Sequence, residues 1–197
     1  MSMSITNDYY RDNSHEFFES TVEADVHPLY DHFCKYICPG GKILDFGCGS
    51  GRDVKAFLDM GYDAVGVDGS SEMCALASSF TGTIIKHMDF ADLDSHNEYD
   101  GIWACASLLH VESLKLPSII VRMRDALKVP GVIYMSFKYG DYEGLRDGRY
   151  FTDMNEERFS NIMNDIDAVE LVEKWYSEDV RRDRNVQWFN AILRKMS

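Results

Sequence analysis

Positive charge is scarce in this 197-residue chain: 20 lysines and arginines stand against 33 aspartates and glutamates, a formal net charge of −13. Holding a phosphate backbone takes concentrated Lys and Arg, so a nucleic-acid partner is not expected. The two short basic clusters, Arg122/Arg124/Lys128 and Arg181/Arg182/Arg184, read as solvated faces. Long uncharged apolar runs are missing, and so is a signal-peptide pattern. Membrane spanning and secretion are therefore unsupported, and a cytoplasmic location is expected. Paired cysteines are missing too. The five cysteines, Cys34, Cys38, Cys48, Cys74 and Cys105, are odd in number and include no Cys-x-x-Cys. Cys34 and Cys38 share a face of an expected helix, but two further ligands at matching spacing do not stand out. No metal site is expected, and free thiols in a reducing compartment are. Repeats and low-complexity segments do not occur. A hydrophobic content of 45 % is ordinary for one globular domain with one core.

What is present concentrates at residues 43–51. Ile43, Leu44 and Phe46 form an apolar run with one acid, Asp45, which breaks into Gly47, Gly49 and Gly51 before a helical pattern. That order reads as a buried parallel strand, a tight turn and a helix N-terminus. Glycine takes positive φ and lets a ligand approach bare backbone. The helix end offers unpaired N–H groups and about half a positive charge. A nucleotide-like cofactor suits such a turn; the alternative is a turn that only tightens a strand–helix join. A dinucleotide-binding G-x-G-x-x-G turn would place its third glycine at 52, where Arg52 stands. About twenty residues past the turn, an alternating strand over 62–67 ends on Asp68, the place of an acid that accepts from a ribose diol. Gly69, Ser70, Ser71 and Glu72 then cap a helix.

Further strands are expected at 83–87, 99–105, 132–137, 169–175 and 186–193. Helices are marked by Val54/Phe57/Leu58, by Met73/Leu76/Ala77/Phe80, by Ile119/Ile120/Met123/Leu127 and by Phe159/Ile162/Met163/Ile166. Strands alternating with helices give an α/β fold with a parallel sheet. Near the N-terminus, Asn13 and Glu16 have the spacing of a capping box for a helix presenting Phe18, Val22 and Val26. Pro28 restarts the chain in a second helix, with Leu29, Phe33 and Ile37 on one face and Pro39-Gly40-Gly41 at its end.

Taken in order over residues 43–137, four stations resemble the class I S-adenosylmethionine-dependent methyltransferases: the G-x-G-x-G turn, Asp68, the Asp89-Phe90 pair, and the His110-containing stretch after a strand opened by Asp100. A closer likeness is to a small bacterial branch similar to tellurite-resistance-type methyltransferases. It rests on Tyr9-Tyr10, residues 17–21, Gly51-Arg52-Asp53, and the runs 103–111 and 136–140. The resemblance implies a Rossmann-like doubly wound seven-stranded sheet, mostly parallel with an antiparallel last strand and helices on both faces. It implies a single domain over 1–197 whose N-terminal helices, within 1–40, lie over the cofactor mouth. The implied cofactor is S-adenosyl-L-methionine, held by Asp45, Gly47, Cys48, Gly49, Arg52, Asp68, Gly69, Met73, Asp89, Phe90 and Ala104. Asp68 would take the ribose, Asp89 the adenine amino group, and the Phe90 N–H a ring nitrogen. Asp45 either joins the contact or only anchors the glycine turn, and Arg11 or Arg52 faces the cofactor carboxylate.

The implied reaction is in-line methyl transfer to a small-molecule acceptor by a monomer or homodimer. His110 is the candidate general base, since imidazole titrates near neutrality, though a nucleophile already ionised needs none. Residues 138–152 lie beyond the end of the fifth strand, where open α/β sheets bind ligands. They read either as a substrate lid or as a charged surface hairpin. Tyr139, Arg146, Arg149 and Trp188, with Arg181, are candidates for a site that takes an anion and an aromatic group. Two other functions stay open: methylation of RNA or protein with a recognition partner, and a cofactor-binding subunit without transfer activity.

Overall fold

The computed structural model describes residues 2–180 and 186–197. Three helices open the chain: α1 (Ser2–Asp12), α2 (Ser14–Thr21) and α3 (His27–Cys34). The α/β alternation follows with β1 (Lys42–Phe46), α4 (Arg52–Asp59), β2 (Asp63–Asp68), α5 (Ser71–Thr81) and a short β3 (Lys86–His87). It continues through β4 (Tyr99–Ala104), α6 (Leu116–Ala126) and β5 (Leu127–Lys138). A hairpin of β6 (Glu143–Arg146) and β7 (Arg149–Thr152) precedes α7 (Glu156–Met163), β8 (Val169–Glu178) and β9 (Gln187–Lys195).

Seven strands make one sheet in the order β3-β2-β1-β4-β5-β9-β8. β9 runs antiparallel to both its neighbours, and the other ladders are parallel. This is the Rossmann-like doubly wound sheet that the resemblance implies. Successive residues of a strand face opposite sides, and the apolar runs serve two cores. Ile43, Trp103 and Tyr134 pack with Phe33 and Phe57 of α3 and α4 on one side. Leu44, Ile102, Ile133 and Met135 pack with α6 and α7 on the other. A buried central strand must be apolar on both faces, which is why these segments read as continuous runs rather than alternations.

Several local expectations change. α1 was not foreseen as a separate helix. α2 begins beside Asn13 as expected, but Asn13 caps nothing: its amide donates to the Tyr9 carbonyl at 2.8 Å. Val26 is the N-cap residue of α3 and lies outside α2. The 83–87 strand shrinks to two residues at the sheet edge, with Ile84 81 % exposed. Ile166 lies past the end of α7, yet it is buried in the core. The stretch after β5 is the β6–β7 hairpin, closed by a turn in which Asp147 and Gly148 both take positive φ.

Candidate active site

The strand order reverses between β1 and β4, and open sheets gather ligands at that reversal, beyond the strand C-termini. A cavity of about 360 Å³ lies there, walled by the turn after β1, the ends of β2, β4 and β5, and the N-terminal helices. Its size falls in the range of small-ligand sites.

The glycine turn forms one wall. Gly47 has φ +87°, and a Cβ there would stand 2.6 Å from Ser107 Cβ and 3.0 Å from the Phe90 ring, so only glycine fits. The N–H groups of Gly47 and Cys48 both donate to the Val67 carbonyl at 2.9 Å, tying the turn to β2. Gly49 N–H donates to Asp68 Oδ2 and Ser70 N–H to Asp68 Oδ1, each at 2.9 Å. The Asp68 carboxylate thus bridges two turns, and each oxygen keeps a second acceptor site. Burial pushes its pKa up, against the pull of the Ser70 and Gly49 N–H bonds. Ser70 caps α5 by accepting from Met73 N–H. Asp89 Oδ1 accepts from Asn7 of α1 at 3.1 Å, and Phe90 packs on Phe46 with ring centroids 4.7 Å apart. Gly47, Cys48, Gly49, Arg52, Asp68, Gly69, Met73, Asp89 and Phe90 all reach the cavity.

Two expected cofactor residues do not. Ala104 is fully buried in the core, and the cavity wall is made by Cys105, Ala106 and Ser107 just after it. Asp45 lies behind the turn. Among the described residues its Oδ2 is buried without a partner, and burial together with the Asp53 charge drives its pKa well up. Of its two possible roles, the position suits the anchor. Arg52 does line the cavity, but its guanidinium also grips Asp53, with Nε–Oδ1 at 2.6 Å and Nη2–Oδ2 at 2.9 Å. Asp53 further accepts from the Tyr30 hydroxyl at 2.6 Å and the Trp103 indole at 2.8 Å. Burial pushes this carboxyl up, but Arg52 and the two other donors, Tyr30 and Trp103, outweigh it and hold the pKa down. Arg11 is exposed and pairs with Asp8 and Asp12.

His110 faces the cavity, 7 % exposed, with both ring nitrogens engaged. Nδ1 lies 2.7 Å from the Tyr150 carbonyl and Nε2 lies 2.8 Å from the Tyr10 hydroxyl. A carbonyl only accepts, so Nδ1 carries the proton, Nε2 accepts, and Tyr10 donates. Burial, with the nearby charges of Arg149 and Lys138, drives the His110 pKa down to about 3. In this arrangement Nε2, the nitrogen a general base would use, is taken up by the Tyr10 hydroxyl, and the imidazolium is disfavoured.

Of the acceptor-side candidates, Arg149 and Trp188 line the cavity. Arg146 does not; it pairs with Asp153 at 2.8 Å. Tyr139 is exposed, its hydroxyl 3.5 Å from Glu156. Arg181, Arg182 and Arg184 lie outside the described residues. Sequence reasoning missed Asn7, Ser107 and Phe151 as wall residues. Asn7 had no signal, because α1 was not foreseen. Ser107 stood in the run already singled out after β4; its hydroxyl donates to the Phe46 carbonyl at 2.7 Å. Among the described residues no cluster of three His, Cys, Asp or Glu side chains could hold a metal. No described helix is long and apolar enough to cross a membrane.

Residues 43–131 match the family model of a methyltransferase domain. No curated protein matches the sequence. Among solved structures, the chain resembles Burkholderia thailandensis 1,6-didemethyltoxoflavin-N1-methyltransferase, solved with 1,6-didemethyltoxoflavin and S-adenosylhomocysteine. The TM-score is 0.81 at 17 % identity, covering 99 % of this chain and 89 % of that one. It also resembles magnesium protoporphyrin IX methyltransferase from Synechocystis PCC 6803 with bound S-adenosylhomocysteine, with TM-score 0.65, 18 % identity and coverages of 92 % and 83 %. A third is a Haloferax volcanii protein assigned as a methyltransferase, in complex with a methyltransferase activator, with TM-score 0.75, 16 % identity and 98 % of both chains covered. At these identities the likeness is one of fold.

Proposed function

We propose that this chain is a class I S-adenosylmethionine-dependent methyltransferase acting on a small-molecule acceptor. One observation carries the reading: the glycine turn and Asp68, 19 residues apart from Gly49, meet through a hydrogen bond on the wall of one cavity. The residues fit the cofactor. Gly47 and Gly49 put backbone without side chains on the cavity wall. Asp68 offers two carboxylate oxygens toward a diol. Asp89 and the Phe90 N–H stand at the far end for an adenine edge. Met73 and Met88 supply apolar walls.

When bound, S-adenosylmethionine supplies a methyl already activated as a sulfonium. The chain's own work is then placement and exclusion of water, which together can contribute about 7–11 kcal/mol. Tyr10 closes the cavity from α1, held by His110 and by the edge of Phe17, whose ring centroid is 4.8 Å away. His110 serves as a positioning group for Tyr10. Residues 138–152 then act as a fixed wall carried on the hairpin, with α1 packed against β7 through Thr6, whose hydroxyl accepts from Tyr150 N–H at 3.0 Å.

The enclosed cavity and the net negative charge favour a small acceptor over a polymer. The toxoflavin-precursor and porphyrin enzymes of similar fold are named for small acceptors. The activator-bound Haloferax protein supports a second reading, in which a partner subunit brings a larger substrate. The tellurite-resistance-type branch remains a narrower proposal, and no acceptor is carried over from it.

Calorimetric titration with S-adenosylmethionine, S-adenosylhomocysteine and NAD tests the assignment. Micromolar binding of the first two and none of NAD is expected. NAD binding without the others would overturn it.

A further inference from the structure

We infer that the methyl acceptor is a small organic acid that docks its negative group on Arg149. The inference rests on the methyltransferase reading for what occupies the other half of the cavity. Arg149 opens β7 and lines the cavity. Its guanidinium carbon lies 4.5 Å from the Tyr9 ring centroid, 5.2 Å from Phe151 and 5.9 Å from Tyr10. Aromatic faces hold a guanidinium in place while leaving its planar N–H fork for a bidentate anion. No carboxylate among the described residues answers the charge: the guanidinium hydrogen-bonds the neutral Tyr10 hydroxyl, and its Nε is buried without a partner.

The other partly buried arginines show how unusual this is in an acid-rich chain. Arg52 has Asp53, Arg124 has Asp125 and Asp167, Arg146 has Asp153, and Arg158 has Glu143. The acids of the cavity are engaged elsewhere or lie apart. Asp53 is held by Arg52, Tyr30 and Trp103, Asp68 by the two turns, and Asp89 by Asn7. Glu178 and Asp179 also stand on the cavity wall, at and just after the end of β8.

The proton bookkeeping points the same way. Both nitrogens of His110 are occupied, and the nearby Cys105 is buried and holds its proton, with burial raising its pKa to about 12. A neutral nucleophile would then depend on a wall carboxylate as its base. A carboxylate, or a phenol or enol acidic enough to be ionised at neutral pH, needs none. Transfer to such an anion breaks the donor's methyl–sulfur bond and forms the acceptor's bond to that carbon. The sulfonium charge and the acceptor charge cancel, and no proton moves.

The test is calorimetric titration with benzoate and its neutral isostere benzamide, with and without saturating S-adenosylhomocysteine. The proteins are the wild type, Arg149→Gln and Arg149→Lys. We expect benzoate to bind the wild type at least about tenfold tighter than benzamide. Arg149→Gln should erase the preference and Arg149→Lys keep part of it, with S-adenosylhomocysteine binding alike in all three. Equal affinities in the wild type, no saturable benzoate binding, or a preference that survives Arg149→Gln would overturn the inference. Failure of S-adenosylhomocysteine to bind would instead count against the cofactor, and the benzoate titration of unliganded protein would still decide the Arg149 site.

Discussion

Asp53 and Asp68 are acids fifteen positions apart with different duties. Asp53 is an internal hub: remove its carboxylate and the Arg52 guanidinium, the Tyr30 hydroxyl and the Trp103 indole lose a buried acceptor at once. Breaking a buried pair by removing one partner costs about 3–5 kcal/mol. Asp53→Ala should lower the unfolding free energy by about that much, read by chemical unfolding. Asp68 was legible from its spacing past the glycines, because a ribose acid must stand at the end of the next strand. Asp68→Ala should weaken S-adenosylhomocysteine by about 1–3 kcal/mol in calorimetry; unchanged affinity would remove the ribose assignment. The Asp53 hub was not legible. Tyr30 and Trp103 lie 23 and 50 positions from it, and nothing local marks them as its partners. His110 was legible as a residue near the reaction, but its state was not, because the groups that set it come from α1 and β7.

Among the elements, the turn between β1 and α4 was the most readable. Its glycines answer to local demands: positive φ at Gly47, Gly49 and Gly51, and no room for a side chain at Gly47. A substitution such as Gly47→Ala combines an unfavourable backbone with a contact of 2.6 Å to Ser107. It should cost about 1 kcal/mol or more of stability and, because the turn whose Gly49 N–H holds Asp68 must move to relieve the contact, should weaken S-adenosylhomocysteine further than it destabilises the fold. Thermal unfolding and calorimetry together check both parts. Reading failed where an element's form depends on neighbours. Ile84-Ile85 looked like part of a strand, but at the sheet edge only Lys86 and His87 find a ladder. Asn13 had a capping spacing, yet α1 ends just before it and Tyr9 supplies a nearer acceptor. For residues 138–152 the structure gives the form, a hairpin made by the pairing of β6 with β7 and of Arg146 with Asp153, with Arg149 and Phe151 on the cavity wall.

Across the molecule, buried titratable groups make stability depend on pH. His110 has a folded pKa of about 3 against 6.5 for the free side chain. Below pH 6.5 the unfolded chain takes up a proton that the folded chain refuses, so this group's stabilisation falls as pH drops through that window. The slope approaches about 1.4 kcal/mol per pH unit. Asp45 and Asp68 act oppositely, since their raised pKa values let the folded chain bind protons earlier. Comparing His110→Gln with the wild type isolates the histidine. The variant should lose less stability than the wild type when pH is lowered from 7 toward 4, measured by chemical unfolding at each pH. Equal losses would mean that His110 is not held neutral.

The α/β alternation from β1 onward, the glycine turn, the acid Asp68 at the end of β2 and the two-sided sheet core were readable along the chain. Each is dictated by neighbours in sequence: strand and helix periods, the φ a turn demands, the spacing of an acid beyond it. Folding in three dimensions set which charges are answered. Tyr10 and His110 are 100 positions apart, yet one hydrogen bond between them takes up the nitrogen a general base would use. Arg146 and Arg149 are three positions apart and equivalent as text, yet one finds Asp153 while the other is left on aromatic faces at the cavity wall. Such outcomes depend on distance and burial between remote segments, and a sequence read residue by residue records neither.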